Sequence, residues 1–269
     1  MFLPPMMKPL LLSIALLGCS LPAPSVTAQP SPVSTLAGSR RWADSASREI
    51  EAASRAGDIV RLRRTQTMLD QALVAFPADP LLLHYQGYAL YRIAGILQGR
   101  PVAAAPDLPL VLETARTKLE QSLAARPMAE THALLAQVLG QLIGADPSTA
   151  PTYGPRVQTE MTAATTLGPS NPRVWLLKGI QSIYTPAQYG GGLSIAEGQL
   201  KRAVQLFVTD SPTPPDPSWG KAEAYVWLGQ ALQKQNRPAE ARTAYQQALA
   251  LQPDYPWVTY SLLPALGHK

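Results

Sequence analysis

A small residue, a large apolar residue four positions on and a second small or polar residue three beyond that recur as a unit along most of the chain. The unit stands at Thr65/Leu69/Ala72, Ala115/Leu119/Ser122, Val157/Met161/Ala164, Ala196/Leu200/Ala203 and Ala241/Tyr245/Ala248. Spacings of four and three place all its members on one helix face. Pro77, Pro127, Pro169 and Pro253 follow as helix stops, because proline cannot continue a helix interior. Partner helices precede several units. Asp79-Pro80…Gly87 and Asn171-Pro172…Gly179 begin with a capping side chain and a proline at the first turn. Leu135, Val138, Leu139 and Leu142 form a further apolar stripe. No stretch alternates apolar with polar residues and is rich in Val, Ile and Thr, so no sheet is expected. The pattern predicts five antiparallel helix pairs over 42–75, 79–125, 128–167, 172–208 and 220–251. A terminal helix, capped by Asp254 and reaching Leu266, carries Trp257, Tyr260, Leu262 and Leu263 to cover the last apolar face. The units lie roughly 40 to 50 residues apart, and the excess over a tight helix pair is expected in connections. These are Gly99–Leu108, Gly144–Tyr153, Thr185–Gly192 and Asp210–Ser218.

The N-terminus follows another pattern. Lys8 precedes an apolar stretch from Pro9 to Cys19, too short to cross a hydrocarbon core of ~30 Å and of the length of a secretory signal. Two cleavage readings stand. Val26-Thr27-Ala28 before Gln29 is a small-x-small site, which makes residues 1–28 a signal peptide. Leu16-Leu17-Gly18-Cys19 resembles a bacterial lipobox, in which cleavage before Cys19 leaves that cysteine lipidated; Leu17 departs from the usual small or β-branched residue. Residues 29–41 continue a Pro/Ser-rich stretch and read as a linker. Residues 42–269 are the helical repeat domain. An exported, periplasmic chain is expected, with a lipid anchor in the outer membrane as the alternative to free secretion.

The clearest helix pair is 222–255. Tyr225, Leu228, Gly229 and Leu232 are followed by Ala241, Tyr245, Ala248 and Pro253. Gly229 and Ala241 are small where two helices cross closely, Tyr245 fills the gap, and Asn236-Arg237-Pro238 makes the turn. These residues and spacings resemble the tetratricopeptide repeat, with Tyr225 in place of the usual Trp and Leu232 in place of the usual Tyr. The resemblance implies an all-α, right-handed α-solenoid of about five pairs with a C-terminal capping helix. It also implies a concave groove lined by the first helix of each pair, which binds an extended peptide or a partner helix. Carried onto the clearest repeat, the groove positions are Glu223, Val226, Trp227, Gln230, Gln233 and Lys234. In the third pair the same register gives Glu130, Leu134, Gln137 and Gln141. Trp227 is a candidate anchor, with coverage by the terminal helix or by the Pro212–Trp219 loop as the alternative.

Composition narrows the chemistry. Charged residues are 15% of the chain and the net charge is only +5, without a clustered basic face, so nucleic acid is not an expected partner. Three histidines and one cysteine leave little for zinc, iron–sulfur or haem ligation, and neither a metal nor a cofactor is expected. No nucleophile elbow, zinc-protease helix, phosphate loop or dinucleotide fingerprint is present. His84 and His132 read as packing residues, and Glu49 and Glu51 as a solvated helix face. Gly190-Gly191-Gly192 before a helix offers either backbone N–H groups to an anion or a sharp turn between helices. The chain is therefore expected to be a non-enzymatic interaction scaffold; the alternative is a periplasmic small-ligand-binding or transport-accessory helical protein.

Overall fold

The computed structural model describes residues 32–101 and 105–267. The expected signal peptide, both expected cleavage sites and Cys19 lie outside the described residues. Ten helices follow in pairs among those described: α1 Pro32–Ala56 with α2 Ile59–Ala75, α3 Pro80–Gln98 with α4 Leu108–Ala125, α5 Ala129–Ala145 with α6 Ala150–Leu167, α7 Pro172–Tyr184 with α8 Leu193–Leu206, and α9 Lys221–Lys234 with α10 Pro238–Leu251. The all-α solenoid of five pairs is present, and among the described residues there is no strand.

Local chemistry sets the starts. Asp58, Asp79 and Asn171 each accept a first-turn backbone N–H (from Arg61, from Leu81 and Leu82, and from Arg173), which satisfies donors that a helix leaves without partners. Pro80, Pro172 and Pro238 stand at the first turn, where no N–H is needed. Within three of the pairs the contact is the one that the small–large pattern anticipates. A Cβ on Gly87 would lie 2.5 Å from Leu119, one on Gly179 2.5 Å from Leu200, and one on Gly229 2.4 Å from the Tyr245 ring. Close approach of two helix backbones is thus what each glycine makes room for.

Three expectations need correction. Helix α1 reaches back to Pro32, so residues 32–41 of the expected linker are helical. Ser39 is buried and a Cβ on Gly38 would lie 3.0 Å from the Phe76 ring, whereas Trp42 is 37% exposed. Small residues that let α1 lie close to the end of α2 look, by composition alone, like a tether. Second, the connection expected at Gly144–Tyr153 is shorter. Asp146 caps a 3-10 turn Pro147–Thr149 that runs directly into α6, so part of the excess length is helix. Third, the terminal helix spans 256–265 with a π-helical stretch Val258–Leu262, and begins after Tyr255 rather than on an Asp254 cap. It buries Val258 but leaves Tyr260 79% exposed.

The odd-numbered helices form one layer and the even-numbered ones back it. The inner layer curves far enough that Arg92, near the end of α3, reaches Glu223 at the start of α9 with Nη1···Oε1 at 2.8 Å. Between them lies the segment 208–220 that joins α8 to α9. Its root is fixed by Arg173 of α7, only 2% exposed, whose guanidinium donates twice to the Asp210 carboxylate at 3.1 and 2.6 Å. Further along, Tyr85 donates to the Pro215 carbonyl at 2.5 Å and Arg40 to that of Pro214 at 3.1 Å. The segment ends on Gly220, with φ of +105° and with Leu176 2.9 Å from where a Cβ would sit. Only glycine fits that backbone and that space. The chain thereby lays one of its own connections against the inner surface of its first two pairs.

A candidate binding site on the inner face

Two features share the inner face. The first is an aromatic row. Trp227 of α9 has an edge-on ring neighbour on either side: Tyr184, the last residue of α7, at 6.3 Å between ring centres, and Trp257 of the terminal helix at 6.0 Å. Tyr184 is 65% exposed and Trp257 39%, while Trp227 is partly buried. The Lys234 ammonium stands 5.9 Å from the Tyr184 ring centre, within range of a cation–π attraction. The row is therefore an open aromatic surface with one cation at its edge.

The second feature is a cleft of about 200 Å3 where α1, α3 and the starts of α9 and the terminal helix converge. It is lined by Glu51, Arg55, Arg92, Trp219, Glu223 and Tyr255, among others. Trp219 stacks on Tyr88 with ring centres 4.9 Å apart, and the Tyr88 hydroxyl donates to Glu51 Oε1 at 2.6 Å. Burial pushes the Glu51 carboxyl up, against the pull of Arg92 and of the Tyr88 hydrogen bond. Glu51 therefore does not belong to a solvated helix face as expected. Glu49 does lie nearer the surface, and the hydrogen bond from Arg61 at 2.7 Å draws its carboxyl down.

The expected groove residues divide accordingly. Glu223, Trp227, Gln230 and Lys234 share the inward stripe of α9, and Glu223 is tied to Arg92. Val226 is wholly buried, so it packs between helices and presents nothing to a partner. Gln233 turns towards α10, where its side-chain oxygen accepts the Tyr245 hydroxyl at 2.9 Å. On α5 the register fails. Leu134 is wholly buried, Gln137 is buried and donates to the Leu177 carbonyl at 2.8 Å, and Glu130 accepts from Asn171 at 2.6 Å. That stripe is the seam between α5 and α7, not an open groove. Trp227 is held between two aromatic neighbours, so the terminal helix does touch it as the alternative had it, while the Pro212–Trp219 segment covers α3 instead. Arg55, Arg92, Trp219, Lys221 and Tyr255 are additional lining residues that the repeat register could not point to. The one visible signal was the Trp219-Gly220 pair immediately before a helix start.

Other candidates are accounted for by packing. The N–H groups of Gly190, Gly191 and Gly192 donate to the carbonyls of Ala187, Pro186 and Ser182, so none is left for an anion, and a Cβ on Gly191 would collide with Thr185. His84 is wholly buried, its Nδ1 2.8 Å from Thr131 Oγ1, and burial pushes its imidazole down to about 3. His132 pairs with Glu160 at 2.6 Å.

The tetratricopeptide repeat family matches residues 222–255. No curated protein sequence matches the chain. Among solved structures, the HusA haemophore from Porphyromonas gingivalis is similar over 72% of this chain and 94% of its own, with 20% identity and a TM-score of 0.58. A thermophilic tetratricopeptide-repeat protein from Thermus thermophilus is similar over 81% of this chain and 98% of its own, with 19% identity and a TM-score of 0.57. At such identities the likeness is one of fold. Residues 222–255 are a tetratricopeptide repeat, and the helix pairs around them build a solenoid of the same type.

Proposed function

We propose that this chain is a non-enzymatic protein–protein interaction scaffold of the bacterial cell envelope, which holds a peptide or partner helix on the inner face of its solenoid. The observation that carries the reading is the row Tyr184–Trp227–Trp257. Aromatic rings that stay accessible on a rigid helical layer offer large contact area with little conformational entropy to lose, the property of interface anchors. The cation of Lys234 at its edge favours a partner with a carboxylate beside an apolar anchor. The chain's own segment 208–220 supports the reading in another way: the same face already holds a proline-rich stretch of chain through the stacking of Trp219 on Tyr88 and the hydrogen bond from Tyr85 to the Pro215 carbonyl.

Trp227→Ala tests it. Capture of partners from an envelope fraction should weaken by about 2 kcal/mol, some thirtyfold, while the melting temperature stays within a few degrees of wild type. A variant that loses ~3–5 kcal/mol of stability yet captures the same partners would make the row a packing seam instead of a docking face.

Location in the envelope rests on the N-terminal sequence. In the lipoprotein reading Cys19 is the attachment point, and Cys19→Ala should abolish partitioning of the mature protein into detergent. Unchanged processing to a soluble form that begins at Gln29 would replace the anchor with free secretion.

A further inference from the structure

We propose that the cleft at the start of α9 is a binding site for a small anion bearing a carboxylate or phosphate group, separate from the aromatic row. Its unused groups are donors. Trp219 is 3% exposed, and its indole N–H lies buried without a hydrogen-bond partner. The Gln252 side-chain N–H2, which also lines the cleft, is buried and unpartnered too. Buried donors in folded proteins are nearly always satisfied, so two orphans on residues that line one cleft call for an acceptor in it.

The charges agree. Arg55, Arg92 and Lys221 line the cleft against Glu51 and Glu223. Arg92 is spent on Glu223 at 2.8 Å, and Glu223 takes the Trp227 N–H as well at 3.3 Å. Glu51 is occupied by the Tyr88 hydroxyl. Arg55 and Lys221 form no ion pair within 4 Å among the described residues, and with three cations facing two carboxylates the cleft keeps one positive charge in excess. Helix α9 adds to this. It runs for 14 residues from Gly220, which supplies no side-chain cap, and its first intrahelical bond from this end is Ala224 N–H to Gly220 carbonyl. The amides of Lys221, Ala222 and Glu223 therefore point outward with the positive end of the helix dipole, next to the orphan indole. A volume of about 200 Å3 suits a molecule smaller than most drug-sized ligands.

The test is thermal unfolding and tryptophan fluorescence of the full chain titrated with inorganic phosphate, with succinate and, as control, with sodium chloride at matched ionic strength. A bound anion raises the melting temperature in proportion to the logarithm of its concentration once the site is filled. A shift beyond the chloride control with phosphate alone assigns phosphate-bearing ligands, with succinate alone carboxylates, and with both their shared chemistry. Arg55→Gln should weaken the response at least tenfold, and Trp219→Phe, which keeps an aromatic ring against Tyr88 but has no N–H to donate, should weaken it as well. Circular dichroism and the ligand-free melting temperature show whether each variant is folded. The proposal is overturned if neither anion exceeds chloride, or if folded Arg55→Gln and Trp219→Phe respond as wild type does. Lys234 and Tyr184 do not line this cleft, so Tyr184→Ala, which removes one flank of the aromatic row, should leave the anion response unchanged and keeps the outcome independent of partner binding.

Discussion

Gly229→Leu is expected to destabilise the protein by about 3 kcal/mol, the upper part of the usual range for an overpacked core. A Cβ alone would sit 2.4 Å from Tyr245 Cε1 and 2.6 Å from Cδ1, closer than carbon atoms approach. The ring cannot swing aside cheaply. Tyr245 is wholly buried between Ala241, Ala244 and Ala248 on its own helix and the α9 backbone, and its hydroxyl is held by Gln233. Either the ring leaves its rotamer and loses that hydrogen bond, or α9 and α10 move apart and the pair opens. Gly140→Ala is the control. It lies inside α5 with nothing within 4 Å of a new Cβ, so removing the glycine should stabilise the helix by ~0.5–1 kcal/mol. Chemical denaturation of both variants reads the difference directly. A Gly229→Leu protein as stable as wild type would mean that the two helices of this repeat do not cross here.

That crossing was legible in the sequence because it is a local matter. A small residue on one helix and a large one on the next, less than 40 residues away, carry the whole constraint, and prolines and capping residues mark the ends. Gly87 with Leu119, Gly179 with Leu200 and Gly229 with Tyr245 are three copies of it. Which side of a first helix remains open is a different question. Gln137 is polar, and polarity on a stripe suggested solvent, but the Leu177 carbonyl of the next repeat takes its N–H. Periodicity names a face and is silent on what comes to cover it. The same limit hid the cleft. Tyr85 and Pro215 stand 130 residues apart, and Arg92 and Glu223 131. No window of sequence spans such pairs, because they depend on the cumulative curvature of the inner layer. Glu51 looked solvated for that reason: the groups that bury it belong to α3 and to the segment before α9. Of the flanks of the aromatic row, Trp257 reads in sequence only as a cap residue and Tyr184 as nothing more than a helix end.

The second large effect is expected at Arg173. It is the most voluminous of the fully buried side chains, it donates twice to Asp210, and its guanidinium lies 5.5 Å from the Phe207 ring centre. A buried ion pair is weak evidence of net stability, since both charges give up water to form it. Breaking one half is another matter. Asp210→Asn leaves a guanidinium with no counter-charge and almost no access to solvent, and should cost ~3–5 kcal/mol; Arg173→Met leaves the Asp210 carboxylate, which keeps some access to water, without its partner and should cost somewhat less. Joining the two changes removes both charges, so the double variant should recover much of that loss, and the cycle gives a coupling energy of several kcal/mol. The segment 208–220 hangs from this pair. Loosening its root should release Trp219 from Tyr88, which would appear as altered tryptophan fluorescence and faster proteolytic cleavage between Val208 and Ser218 below the melting transition. If instead either single variant loses under 1 kcal/mol, the range of an exposed pair, and cleavage is unchanged, then the segment is held by its proline and tyrosine contacts alone and Arg173 is not what keeps it against the inner face.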